Sequence, residues 1–146
     1  MEGLPYAWPS PDPVQMDIAS GNVPKEQPYI HRLTRLGCAA TEEGKGLAFL
    51  DEVSSIIFGG VKGWNEGDHL ENAVNRAGLD LATLDQKIKA NPEHYETIIA
   101  SYEAAQKVAG HWGVPLMVFE GEPFFGQDRL SHLEWRMKQN GLQTRA

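Results

Sequence analysis

Cysteine is almost absent from this chain of 146 residues, where Cys38 stands alone. A single thiol closes no intramolecular disulfide, and no Cys-x-x-Cys pair offers redox or zinc chemistry, so a reducing cytoplasm is the expected compartment. Long apolar runs are missing too, which argues against a membrane partner. Residues 1–13 carry Pro5, Pro9, Pro11 and Pro13 with Glu2 and Asp12, a pattern foreign to a signal peptide, and the chain is expected to be soluble and unprocessed. Positive charge is scarce as well. Thirteen basic residues against twenty acidic ones leave a net charge of -7. Phosphate binding needs clustered Lys and Arg, so no nucleic-acid partner is expected; Arg32 and Arg35 are too small a cluster to reverse this. The histidines at 31, 69, 94, 111 and 132 fall at no metal-ligand spacing, and no metal is assigned.

What the sequence does hold is mostly helical pattern. Residues 3–8, Gly-Leu-Pro-Tyr-Ala-Trp, read as one short strand before a proline-forced extended connection. From about residue 26 the apolar period shifts to roughly 3.6. A first helix is expected near Pro28 with Tyr29, Ile30, Leu33 and Leu36 on its apolar face, weakening at Gly37; Cys38 then reads as a small buried group. A second runs from about Lys45 to Gly59-Gly60 with Leu47, Leu50, Val53, Ile56 and Ile57 inward. Gly67-Asp68 opens a third that carries Leu70, Ala73 and Val74, and Asp80 caps a fourth with Leu81, Leu84 and Ile88. Asn91-Pro92 starts a fifth, striped by Tyr95, Ile98, Ile99, Tyr102, Ala105 and Ala109.

The stretch richest in implication follows. Gly113-Val114-Pro115 opens a strand, Glu120-Gly121-Glu122 turns it, and Gln127-Asp128 begins a last helix with Leu130, Leu133 and Met137 inward. Pro115 donates no ladder hydrogen bond, so it belongs at the strand start. Together with the first strand this makes a small three-stranded sheet with much unpaired edge.

Gly113-Val114-Pro115 and Gly126-Gln127-Asp128-Arg129, with His111-Trp112, Asn91-Pro92, Ala77-Gly78-Leu79-Asp80 and Gly3-Leu4-Pro5, resemble the 2-hydroxychromene-2-carboxylate isomerases. These join the kappa-class glutathione transferases in the DsbA-like branch of the thioredoxin fold. The resemblance covers nearly the whole chain and implies an α/β, mainly helical, truncated thioredoxin-like fold in a single domain over 1–146. Residues 3–8 would be the last strand of the first unit, 26–110 a large helical insertion with its following helix, and 115–140 the closing β-β-α unit. The family's first strand and helix, with the Ser or Cys that meets the glutathione sulfur, have no counterpart, so no catalytic residue is assigned.

By the same resemblance Val114-Pro115 would be a cis-proline loop whose Val114 backbone pairs with glutathione as an added strand; the alternative is a plain strand-initiating proline. Val114, Pro115, Leu116, Gln127 and Asp128 are the ligand-binding candidates. At Asp128 two roles stand open, contact with the γ-glutamyl group or capping of its own helix. Arg129 braces this turn or is simply solvated. His111 is a candidate on the substrate side. Trp64, with Asn65 in the Gly-rich segment 59–67, is either a lid over a hydrophobic substrate or part of a surface loop. Two functions are carried forward: a DsbA-family relative that keeps a thiol-ligand half-site, with glutathione as its cofactor, and a non-catalytic module that self-associates as a homodimer through its sheet edge.

Overall fold

The computed structural model describes residues 5–144, which divide into two compact units at Ile99/Ala100. The first is helical: α1 (Ile30–Glu42), α2 (Gly46–Phe58), α3 (His69–Arg76), α4 (Leu81–Ala90) and the opening turns of α5 (Pro92–Val108). The second holds the rest of α5, then β1 (Leu116–Phe119), β2 (Glu122–Phe125) and, after a 3-10 turn at Gln127–Arg129, α6 (Leu130–Gln139).

In the helical unit α1 packs on α2 and α4, and α3 on α2 and α4. Ala39, Ala40 and Ala73 are fully buried between them, small enough to let the helix backbones approach, while Leu36, Val74, Leu84 and Phe49 fill the remaining space. Asp80 caps α4 as expected, its Oδ1 accepting from the Thr83 hydroxyl and from the Thr83 amide at 2.7 Å, and these two hydrogen bonds hold its carboxyl below the usual range. Pro92 is the first residue of α5. Ion pairs tie the helices at the surface: Arg32 to Asp85, Arg35 to Glu96, Arg76 to Glu52 and Lys87 to Glu43. Exposed pairs of this kind contribute little stability, but both arginines of the expected basic cluster are spent on carboxylates.

Three helical expectations change. α1 runs through Gly37, because the Phe49 ring of α2 lies against that glycine and replaces the missing side chain as packing; the helix ends only at Glu43-Gly44. In α2 the buried stripe is Phe49, Val53, Ile56 and Ile57, whereas Leu47 and Leu50 are 84% and 60% exposed. In α5 the stripe is buried only near its start, with Tyr95 in the core, Ile98 and Ile99 half-buried and Tyr102 exposed.

The strand expected over 3–8 is a correction as well. Residues 5–8 form no strand, and Gly3 and Leu4 lie outside the described residues. The prolines deny this segment a ladder. It lies instead along the end of α2, the Ala7 amide donating to Phe58 O at 2.7 Å and the Tyr6 ring stacking on Phe58, and one isolated parallel bridge joins Ser10 to Lys62. The sheet is therefore two-stranded among the described residues, β1 antiparallel to β2 with Leu116 opposite Phe125 and Phe119 opposite Glu122. Glu120 and Gly121, both at positive φ, make the two-residue turn that matches the twist of a hairpin.

Beside α5, Glu42 accepts from His94 Nε2 at 2.7 Å and from the Tyr95 hydroxyl at 3.1 Å, which holds its carboxyl below the usual range. Burial, then the Glu42 charge, pushes the Cys38 thiol up. A raised thiol pKa means little thiolate, and the buried Cys38 packs as a core residue.

Candidate functional site

The loop His111–Pro115, between α5 and β1, is built from its own backbone. Gln106 Nε2 donates to Trp112 O at 3.0 Å and to Gly113 O at 3.3 Å, and the Gly113 amide donates to His111 Nδ1 at 2.9 Å. That bond makes Nδ1 an acceptor and leaves the proton of the neutral ring on Nε2. The His111 ring stacks on Phe125 of β2 at 3.8 Å between centroids. Gly113 leaves room for this stack: a Cβ there would meet the far end of the Phe125 ring and push it aside. Neither Gln106 nor Phe125 is marked by its sequence surroundings, since one sits among the alanines of a helix and the other in an apolar hairpin.

The Val114-Pro115 peptide is cis, as expected. The Gly126 amide donates to Pro115 O at 3.0 Å, which continues the hairpin ladder and sets the loop beside the Gln127–Asp128 turn. Alternation along an antiparallel pair then aims the backbone groups of Leu116 and Val118 away from β2. Val114 precedes them on the same edge, 79% exposed, and its amide and carbonyl have no partner among the described residues. The structure thus brings Val114, Pro115, Leu116, Gln127 and Asp128 to one end of the hairpin, with His111 stacked beside it.

Two site expectations are corrected. Asp128 caps no helix, because it lies inside the 3-10 turn whose N-cap is Gly126, and α6 itself starts at Leu130 without a side-chain cap. Its carboxylate is open to solvent, with Arg129 Nε 3.6 Å away. Trp64 is no lid: it is 1% exposed, its Nε1 donates to Pro11 O at 2.7 Å, and its ring meets the edge of Tyr29 in the core of the helical unit. In α6 Leu130 faces solvent, while Leu133 and Met137 are half-buried.

No helix among the described residues is long and apolar enough to cross a membrane. No curated protein and no solved structure matches the chain. A family model described as the DSBA-like thioredoxin domain does match, over residues 3–138. That match spans most of the chain and includes the cis-proline loop, the hairpin and nearly all of α6, and by it the chain belongs to the DSBA-like thioredoxin domain family.

Proposed function

We propose that the open end of the hairpin binds a thiol peptide of the glutathione type and that the protein is a relative of the glutathione-dependent 2-hydroxychromene-2-carboxylate isomerases that keeps this half-site. The observation that carries the reading is the amide and carbonyl of exposed Val114, without a partner among the described residues and on the strand edge turned away from β2. An extended ligand adds to such an edge by main-chain pairing. The cysteinyl backbone would pair with Val114, the γ-glutamyl carboxylate with the amides of Gln127 and Asp128, and the Asp128 carboxylate with the ligand ammonium. His111 would present its Nε2 proton on the same side. The loop carries no cysteine, serine or threonine to meet the sulfur, and Cys38 is buried in the helical unit.

The test is a titration of the whole chain with reduced glutathione followed by amide chemical shifts. Saturable shifts confined to Val114, Gln127 and Asp128 are expected, with several-fold weaker binding for Asp128→Asn. Unchanged spectra at millimolar glutathione would overturn the reading.

A second reading, a self-associating module, has its own support. In the second unit Trp112, Val114, Val118, Leu130 and Trp135 are each more than half exposed, beside a strand edge with unspent hydrogen-bonding groups. Two copies pairing β1 to β1 about a two-fold axis would cover both. Sedimentation equilibrium should show a dimer at micromolar concentration, and a folded monomer there would remove this reading.

A further inference from the structure

Gly113 is buried, and its amide has one partner among the described residues, Nδ1 of His111 at 2.9 Å. A neutral imidazole offers one acceptor nitrogen, whereas a protonated one is a donor at both. Charging the ring therefore sets a donor against a donor. Turning the ring over gives no relief: the stack on Phe125, at 3.8 Å, would survive, but a Cδ2–H would face the amide in place of Nδ1. Trp112 is stacked on the imidazole as well, at 5.8 Å, and the faces of both neighbouring rings attract a cation, so protonation need not eject it. The charged residues nearest along the chain to His111 and Phe125 are Lys107, Glu122 and Asp128. Glu122 pairs with Arg136 at 2.7 Å and Asp128 lies 3.6 Å from Arg129, and among the described residues no carboxylate pairs with the imidazole. Its change of charge is answered at Gly113.

The Gly113 N–H belongs to the Trp112–Gly113 peptide, whose carbonyl accepts from Gln106 Nε2 at 3.0 Å. The next peptide carries the Gly113 carbonyl, 3.3 Å from the same Nε2, and the Val114 amide. The glycine between the two peptides lets them rotate at little steric cost. A buried amide that loses its acceptor is costly to leave unpaired, so it must swing toward water. The Val114 amide, one peptide further on, turns with it.

We propose that His111 is a pH-operated latch on the Val114 strand edge: the neutral ring holds the Gly113 amide and keeps the edge in place, and protonation releases both. The latch acts in the unliganded protein; only its effect on glutathione rests on the thiol-ligand reading. In the full-length protein the His111 ring is titrated by NMR between about pH 5 and 8, where an imidazole changes charge. Amide exchange at Gly113 and Val114 is measured over the same range and corrected for its intrinsic pH dependence. Gly113 protection should fall about tenfold as the ring protonates. His111→Asn, whose Oδ1 accepts near the place of Nδ1 and does not titrate, should keep the protection at both ends of the range. His111→Phe, which keeps a stacked ring without an acceptor, should lose it at both. Glutathione should bind several-fold more weakly at about pH 5.5 than at about pH 7.5. Gly113 protection that stays constant while the ring titrates, or that survives in His111→Phe, would overturn the proposal, as would equal glutathione affinity at the two pH values. If Gly113 is released at low pH but glutathione binds at neither, the latch stands and the thiol-ligand reading falls.

Discussion

Replacing Trp64 with alanine is expected to destabilise the helical unit by about 3–5 kcal/mol, the range for removing a buried large aromatic. Trp64 is the largest of the fully buried side chains, and it does two jobs. Its ring packs edge-on to Tyr29 at 5.5 Å, and its indole N–H holds the carbonyl of Pro11, fixing the N-terminal segment to the loop between α2 and α3. Alanine loses both and leaves a cavity beside Tyr29. Trp64→Phe keeps most of the ring and loses the hydrogen bond, so it should cost less, about 1–3 kcal/mol for a carbonyl left unpaired. Urea unfolding followed by the helical circular dichroism measures both. A Trp64→Ala unfolding free energy within about 1 kcal/mol of the parent's would show that the tryptophan is not what anchors this loop.

Trp64 also marks where the sequence stops being legible. It sits among Gly63, Asn65, Glu66 and Gly67, with no apolar neighbour to give it a period, so its local pattern is that of a surface loop. Only long-range contacts with Pro11 and Tyr29 make it core. By contrast, α3 and α4 are readable because their boundaries are chemical: Gly67-Asp68, Gly78 and the Asp80 cap act within a few residues of themselves. α2 lies between these cases. Its sequence is apolar on more than one face, so periodicity allows a stripe through Leu47 and Leu50 as readily as one through Phe49 and Val53. The neighbours choose the second: α1 packs against Phe49 at Gly37.

At the candidate site the legible part was the backbone. Pro115 at a strand start, the Glu120-Gly121 turn and the strand after it follow from residues whose φ or missing donor constrains them locally. The roles of side chains were less readable. Asp128 is a good capping residue by type, yet it stands two residues past the cap position because a 3-10 turn precedes α6. A shift of one turn is invisible to composition. The bracing of the loop by Gln106 is also a matter of three-dimensional placement, since Gln106 is bound to Trp112 and Gly113 by hydrogen bonds that no motif encodes.

Phe124→Ala is expected to unfold the hairpin and α6 while the helical unit stays folded. Among the described residues of the second unit, Phe124 is the only hydrophobic side chain that is buried, at 3% exposure, with His132 of α6 edge-on to its ring at 5.6 Å. A two-stranded hairpin is marginal without packing. Removing its one buried aromatic costs about 3–5 kcal/mol, more than so small a core can lose. The expected signature is collapse of amide dispersion for residues 114–139, with α1–α4 resonances unmoved and glutathione shifts at Val114 abolished. Phe124→Leu should restore most of the dispersion, because it keeps apolar volume at the same position. If Phe124→Ala instead retained dispersed Val114 and Asp128 amides, the proposed thiol-ligand end would owe its shape to something other than the Phe124 core. The Gly113–Phe125–His111 stack would then be the element to disrupt, by Phe125→Ala.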